Sequence, residues 1–139
     1  MAKNFLRNKV SDFIWFKEVE CPCGCCKKGN IVYLPDPGVV SLFDRWRMFV
    51  GHPLLIISFY RCVDHNMKVG GKVDSLHLSA AAIDFHDPTS EITETYLKHL
   101  DKIIGAGGLG LYDKEGHFHI DCGHLRGLTP GRRWSGVLR

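Results

Sequence analysis

The sequence predicts an α+β domain in which a small antiparallel sheet is flanked by helices. Three observations support this prediction. Two segments carry apolar residues at helical spacing, one short apolar run is bounded by turn residues, and a later segment alternates apolar and polar residues around a turn. In chain order these give helix, strand, loop, helix and hairpin. A length of 139 residues suits one domain, 1–139.

Residues 1–36 are expected to form an N-terminal arm that packs across the domain and contains a cysteine-rich turn. Its predicted anchors are Phe13, Trp15 and Phe16. The segment CPCGCC holds four cysteines: Cys21, Cys23, Cys25 and Cys26. Their spacing is not the repeated CxxC of a structural zinc site, so we favour a tight turn with inert thiols. A second metal site is the alternative.

After the turn signal PDPG, the segment VVSLFDRWRMFV predicts the first helix. The apolar residues at helical spacing are Val39, Leu42, Phe43, Trp46 and Phe49. Gly51 and Pro53 end the pattern.

The apolar run PLLIISFY is too short for a helix and predicts a buried strand at residues 53–60. Arg61 therefore lies at a strand end. Residues 64–75 are expected to form a loop, because they are polar and rich in glycine.

The segment DPTSEITETYLKHLDKIIGAGG predicts the second helix, which begins with capping residues and stops at glycine. Its apolar stripe comprises Ile92, Leu97, Leu100 and Ile104. Residues 107–123 then predict two short strands joined by a turn at DKEG.

Composition and charge exclude several classes of protein. Hydrophobic residues at 45% and charged residues at 24% are ordinary for a globular domain. No run approaches the roughly 18 apolar residues that span a bilayer, and a net charge of +3 is too weak to indicate nucleic acid. The first twenty residues carry too many charges for a signal peptide. We therefore expect a monomer made in the cytoplasm, with reduced cysteines and no membrane or nucleic-acid partner.

The segment HFHID places three polar residues at alternate positions. On a strand, His117, His119 and Asp121 would share one face, while the apolar pair between them faces the core. This pattern is typical of a metal or catalytic site, and equally of a strand with one solvated face.

The segment SLHLSAAAIDF keeps one imidazole and one carboxylate among small and apolar neighbours. A buried carboxylate requires a cation, hydrogen-bond donors or a metal. His77 and Asp84 are seven positions apart, so a turn between them is needed to bring both to one point. Two imidazoles and one carboxylate would give zinc three protein ligands and leave a fourth position for water.

The joint order of these motifs resembles the zinc D-alanyl-D-alanine carboxypeptidases and related phage endolysin peptidases. Their pattern is Ser-x-His, then Gly-x-Ala-x-Asp, and later His-x-His. The matching positions are Ser75, His77, Ala80, Ala82, Asp84, His117 and His119. The segment SFYRCVDHNMKVGG is similar as well, and the likeness runs from about residue 13 to Trp134. The resemblance implies the fold that these peptidases share with hedgehog signalling domains.

The resemblance also implies a zinc ion held by His77, Asp84 and His119. Arg61 would stabilise the carbonyl oxyanion or hold a substrate carboxylate. Some relatives carry an acidic base three residues before the last histidine ligand, where this chain has glycine. His117 is therefore the candidate that moves protons or stabilises charge in the transition state.

Several further residues have lesser expected roles. Ser75 and Asp121 are suited to hydrogen-bond and orient the ligands, or else they satisfy backbone groups. Ala80 stands where the family has glycine, which could shift the backbone between two ligands. Asp113 and Glu115 are alternative bases, although their surroundings favour a solvated turn. His65 and Asn66 are expected to stabilise a loop. No chemistry is assigned to His52, His86, His99 and His124.

The implied function is zinc-dependent hydrolysis of an amide bond in peptidoglycan stem peptides. The enzyme would be a D-Ala-D-Ala carboxypeptidase or an endolysin of the L-Ala-D-Glu type. A phage origin is expected, with action on the bacterial cell wall during lysis or from the virion. The alternative is a non-catalytic, zinc-stabilised cell-wall-binding or virion structural domain. Arg61 and His117 favour the enzyme, because metal stabilisation needs neither.

Overall fold

The computed structural model describes residues 8–25 and 33–136, and Cys26 lies outside them. The elements are the helices α1 (Phe16–Val19), α2 (Pro37–Val50), α3 (Val63–Lys68) and α4 (Glu94–Ile104), and the strands β1 (Leu55–Ser58), β2 (Ala82–His86), β3 (Gly108–Leu111), β4 (His117–Asp121) and β5 (Arg133–Ser135). Single 3-10 turns lie at Leu76–Ser79 and Gly123–Arg126. The strands form one sheet in the order β1-β2-β4-β3-β5. The predicted α+β class is confirmed.

The sheet is mixed, because β5 pairs parallel to β3 while the other pairs are antiparallel. Strand β5 was not predicted, because a strand of three residues is too short to show a periodic pattern. The predicted hairpin is present, as β3 and β4 pair antiparallel up to Leu111 and Phe118.

One face of the sheet forms the core. Ile83 pairs with Ile120 and Phe85 with Phe118 across β2 and β4. All four side chains are buried, and the ring of Phe43 on α2 meets the Phe85 ring edge to face at 5.7 Å. Because successive side chains alternate, the intervening residues of β2 and β4 project from the opposite face.

The predicted first helix is present as α2, bounded by the expected signals. The Asp36 carboxylate accepts a hydrogen bond from the Gly38 amide at 2.8 Å, and Gly51 ends the helix in the left-handed conformation with φ 74°. Phe49, assigned to the buried stripe, is 53% exposed. It stacks on the outer side of Trp46, with 5.3 Å between the ring centroids.

The second predicted helix begins later than its sequence pattern indicates. Thr93 caps α4, accepting from the Tyr96 amide at 3.1 Å, so Ile92 precedes the helix. Ile92 nevertheless packs against the core from the preceding loop.

Two other predictions need correction. The run at residues 53–60 forms only the four-residue edge strand β1, and there Leu55 and Ile57 are 54% and 40% exposed because β1 has a neighbour on one side only. The predicted loop at 64–75 contains helix α3, whose first turn is capped by the Cys62 sulfur accepting from the His65 amide.

The anchors of the N-terminal arm also differ from the prediction. Ile14 and Val19 are buried, whereas Phe13, Trp15 and Phe16 are only partly covered. None of the helices within 8–25 and 33–136 has both the length and the apolar character needed to cross a membrane.

Candidate metal centre

Three buried side chains from separate elements meet on the polar face of the sheet. His77 lies in the first 3-10 turn, while Asp84 and His119 pair directly across β2 and β4. The Nε2 atom of His77 is 3.1 Å from Asp84 Oδ2, and the Nδ1 atom of His119 is 2.8 Å from Asp84 Oδ1. The predicted convergence of two imidazoles and one carboxylate is therefore observed, as a group that could hold a metal ion.

The 3-10 turn is what brings His77 to the strand residues. Ser75 caps the turn, and its hydroxyl accepts from the His77 amide at 3.2 Å. Ala80 then reverses the chain in the left-handed conformation with φ 52°, a conformation that normally favours glycine. The backbone therefore keeps a glycine-like turn between the two ligands even though alanine occupies the position.

Hydrogen bonds fix which nitrogen of each ring faces the carboxylate. His77 Nδ1 donates to the carbonyl oxygen of Phe59 at 2.7 Å, and His119 Nε2 donates to Asp121 Oδ2 at 2.9 Å. In the neutral imidazoles, the nitrogens facing Asp84 therefore present lone pairs. Such hydrogen bonds to the outer nitrogen are the usual support of metal-binding histidines.

The three potential ligand atoms of His77, Asp84 and His119 suit a cation. His77 Nε2 is buried without a hydrogen-bond partner and faces a carboxylate oxygen, so two electron-rich atoms oppose each other. Two imidazole nitrogens and a carboxylate oxygen are ordinary zinc ligands, and three such ligands are typical of catalytic sites.

The electrostatics of the cluster also attract positive charge. Burial acts to raise the pKa of Asp84, but the facing imidazoles of His119 and His77 outweigh it and lower this pKa to about 2. Burial acts to lower the pKa of His119, but Asp121 and Asp84 outweigh it and raise this pKa. A proton or a metal ion is favoured between these groups, and metal binding would release the proton.

The cluster lies in a cleft with a volume of about 420 Å³. Arg61, Ser75 and Asp121 line this cleft with the two histidines. The Arg61 side chain is almost fully buried, and its guanidinium donates to the Ser75 hydroxyl at 3.4 Å. Burial lowers the pKa of Arg61, and the negative charge of Asp84 opposes this effect. Four site residues were predicted outside the ligand set, and three of them, Arg61, Ser75 and Asp121, therefore adjoin the cleft.

His117, the fourth, shares the polar face but is not among the described residues that line the cleft. Its ring stacks on His86 with 4.0 Å between centroids, and its Nδ1 lies 2.7 Å from Asp113 Oδ2. Asp113 also accepts from the Glu115 amide at 2.9 Å, as expected of a turn. The catalytic role of His117 stays a prediction.

Sequence reasoning missed three residues of the cleft wall. Arg132 forms an ion pair with Asp121, and the Trp134 ring lies 5.1 Å from that of His119. Tyr112 also lines the cleft. Tyr112 follows Gly108 and Gly110 at alternate positions, so the strand pattern could have placed it on this face.

The two glycines of β3 make room for that wall. A Cβ atom on Gly110 would lie 2.6 Å from the indole nitrogen of Trp134, and one on Gly108 would lie 2.5 Å from the Asp121 carboxylate. Both distances are too short for any side chain, so larger residues there would displace the groups next to His119.

Three of the remaining histidines, His52, His86 and His99, make contacts outside the cleft. His52 Nε2 lies 2.9 Å from the Asp87 carboxylate, His86 bonds the Glu115 carbonyl at 3.0 Å, and His99 packs against a phenylalanine ring. Asn66 donates to the Lys72 carbonyl at 2.8 Å, which stabilises the loop after α3.

The chain is similar in sequence to proteins of a known family. A family model described as Peptidase M15 matches residues 14–121, which include the whole His/Asp/His cluster. Proteins named peptidoglycan L,D-endopeptidase MepK, from Escherichia coli strain K12 and from Shigella flexneri, are each 29% identical over 114 residues. Each alignment covers 77% of this chain and 58% of the relative, so the chain spans little more than half their length. No solved structure matches the chain.

Proposed function

This chain belongs to the peptidase M15 family, and from that premise we propose that it is a zinc-dependent peptidase acting on peptidoglycan stem peptides. The observation that carries the proposal is the His77, Asp84 and His119 cluster. Its three buried donors face one another within a cleft, and hydrogen bonds orient both imidazoles. A closed structural zinc site would have four protein ligands, whereas three leave a position for water.

Within this proposal, His77 Nε2, His119 Nδ1 and the Asp84 carboxylate hold the zinc ion. Bound zinc lowers the pKa of a coordinated water and polarises the scissile carbonyl. Asp121 fixes the orientation of His119 and is itself held by Arg132. The Phe59 carbonyl orients His77 in the same manner.

Arg61 binds the substrate in this scheme. Its Nε atom is buried without a hydrogen-bond partner, and its side chain lines the cleft close to Asp84. A guanidinium can donate two parallel hydrogen bonds to a carboxylate or stabilise a developing oxyanion. The free carboxylates of stem peptides suit a cleft that Arg61, Lys72 and Arg132 line.

We assign the transfer of protons to His117. It projects from the same face as His119, two residues along β4. Asp113, 2.7 Å from Nδ1, would hold the ring in a fixed orientation. The other ring nitrogen can then exchange a proton with the leaving amine, if the substrate extends along β4 towards the β3–β4 turn.

We propose an L,D bond as the target, of which L-Ala-D-Glu is one, rather than D-Ala-D-Ala. The support is the L,D-endopeptidase name of the relatives. The test uses two synthetic stem peptides that have the same residues at one end. One peptide contains L-Ala-D-Glu, and the other ends in D-Ala-D-Ala. We expect mass spectrometry to show cleavage of the first only, by zinc-loaded protein. Release of D-alanine would instead indicate a carboxypeptidase, and no hydrolysis of any wall fragment would indicate the non-catalytic domain.

Arg61→Lys tests the binding role, because lysine keeps the charge but cannot supply a planar pair of donors. We expect kcat/KM to fall by about 10²-fold, within the range for loss of one transition-state donor. Zinc content should be unchanged. If this variant had the kinetics of the wild type, the role of Arg61 would be structural.

His117→Ala tests the proton-transfer role. We expect zinc content to stay at the wild-type level while the rate falls by about 10²–10⁴-fold, the usual contribution of a positioned acid or base. The pH–rate profile of the variant should also lack one of the limbs that the wild-type profile shows. Loss of zinc would make His117 a ligand, and an unchanged rate would transfer the role to another group.

A further inference from the structure

Four cysteines converge at a second place, outside the cleft. Three of them, Cys21, Cys23 and Cys25, lie in the turn after α1, and Cys62 is the residue before α3. All four sulfur atoms lie within 4.8 Å of one another. The measured separations are 3.4 Å for Cys21 to Cys23, 3.5 Å for Cys23 to Cys62 and 3.7 Å for Cys21 to Cys62.

These separations match a tetrahedral metal site. With zinc–sulfur bonds of about 2.3 Å, the edges of a regular tetrahedron of sulfur atoms are about 3.8 Å long. A disulfide would bring two sulfurs to about 2.05 Å, well below the three separations given above, so these sulfurs are not joined in disulfides.

The backbone around the cysteines is arranged to support thiolates. Gly24 adopts φ 80° and its amide bonds the Cys21 carbonyl at 3.1 Å, which folds the turn so that three sulfurs point the same way. The Cys62 amide donates to the Cys21 sulfur and the His65 amide to the Cys62 sulfur, both at 3.4 Å. Amide donors to sulfur orient and stabilise metal-bound thiolates.

We propose that Cys21, Cys23, Cys25 and Cys62 form a second zinc site, closed by four protein ligands and structural in role. Soft thiolate ligands in a tetrahedron select zinc among the common divalent metals. This departs from the sequence-based expectation of inert thiols. That expectation compared only the clustered cysteines, and the fourth ligand lies far along the chain.

The site joins the N-terminal arm to the wall of the cleft. Cys62 follows Arg61 directly, and the Arg61 amide bonds the His77 carbonyl at 3.1 Å. Next to it, the Tyr60 amide bonds the Val19 carbonyl at 3.0 Å. Zinc at the cysteines therefore fixes the segment that carries Arg61 into the cleft, in addition to fastening α1 to the end of β1.

Counting zinc in the full chain and three variants tests the proposal independently of catalysis. We expect two zinc ions per wild-type chain and one in Cys23→Ser, chosen because Cys23 is exposed and its substitution disturbs no buried packing. Cys122→Ala, which removes a buried cysteine outside the cluster, should keep two. Asp84→Asn should keep one, held by the cysteines.

Cobalt substitution of the Asp84→Asn protein provides a second measurement, made where the ligand set of the cleft is already broken. A tetrahedral thiolate site should give an intense sulfur-to-cobalt charge-transfer band, absent after Cys23→Ser is added. Wild-type protein that binds one zinc ion and shows no such band would overturn the proposal. So would a thiol titration of the protein as isolated, before any metal is removed, that finds two of these cysteines oxidised to a disulfide. If the cysteine zinc is present but Asp84→Asn loses none, only the catalytic proposal fails.

Discussion

Asp84 and Asp87 are two buried carboxylates three residues apart, the first in the middle of β2 and the second just beyond its end. They are 1% and 0% exposed, and the pKa of each is lowered to about 2 although burial acts to raise it. Their partners differ in kind. Among the described residues, the Asp84 carboxylate is in close contact with two imidazoles. Asp87 meets the Tyr96 hydroxyl at 2.7 Å, the Thr89 and Ser90 amides at 3.1 and 3.0 Å, and His52 Nε2 at 2.9 Å.

This difference separates a metal site from a structural one. Hydroxyl and amide groups bring their own hydrogens, so Asp87 is fully satisfied by the protein. The imidazole nitrogens facing Asp84 are left as acceptors by the hydrogen bonds on their other sides, so that cluster needs a cation. Burial and a lowered pKa are common to both residues, and only the type of donor identifies the functional one.

The largest expected effect is that of Asp84→Asn on catalysis. The amide cannot replace the negative ligand, so we expect peptidase activity to fall to background and one zinc ion to be lost. In the metal-free fold the substitution removes a buried charge together with its contacts to two imidazoles, so its two effects on stability oppose each other. Asp87→Asn is the matched control, an identical substitution three residues away that should keep zinc and activity.

If both asparagine variants lose activity while remaining folded and zinc-loaded, donor type is not what distinguishes the two carboxylates. Activity, zinc content and the unfolding curve must therefore be measured on the same preparations.

Asp87→Asn should have the larger effect on folding. A carboxyl group whose pKa falls from about 3.9 to about 2 on folding contributes roughly 2–3 kcal/mol near neutral pH. We expect a loss of that size in the free energy of unfolding, measured by urea denaturation with zinc at equal saturation. Asp84→Asn under the same conditions separates this loss from any effect of metal.

The pH dependence gives the sign of that contribution. The folded-state pKa of Asp87 is lowered, so its stabilisation is fully present above the unfolded value of about 3.9 and is lost as pH falls through about 2. The difference in stability between wild type and Asp87→Asn should therefore shrink steadily from about pH 4 to pH 2. A difference that does not change over this range would assign the loss to packing.

The same contrast explains what the sequence could predict. Helix α2 and the β3–β4 hairpin follow from local periodicity and turn residues, and the shared face of His117, His119 and Asp121 follows from strand alternation. The contacts of Asp87 with Tyr96 and His52, and of Cys62 with the N-terminal cysteines, depend on which elements pack together. Nothing in local spacing encodes such pairs. Spacing made the pairing of His77 with Asp84 dependent on a turn between them, and the family pattern is what implied that pairing.

The smallest expected effect is that of His52→Ala, which removes one of the partners of Asp87. His52 is partly exposed, with 23% of its side chain accessible, and it also lies 3.3 Å from the Ser90 hydroxyl. Because one hydroxyl and two amides still bond the carboxylate, the loss should be that of a single hydrogen bond, about 0.5–1.5 kcal/mol. His77→Ala, by contrast, removes one of only two imidazoles on Asp84 and should abolish zinc binding at the cleft. Urea denaturation measures the first effect and metal analysis the second. A loss in His52→Ala as large as that in Asp87→Asn would mean that the imidazole alone holds this carboxylate, and the two aspartates would then be alike in depending on histidine.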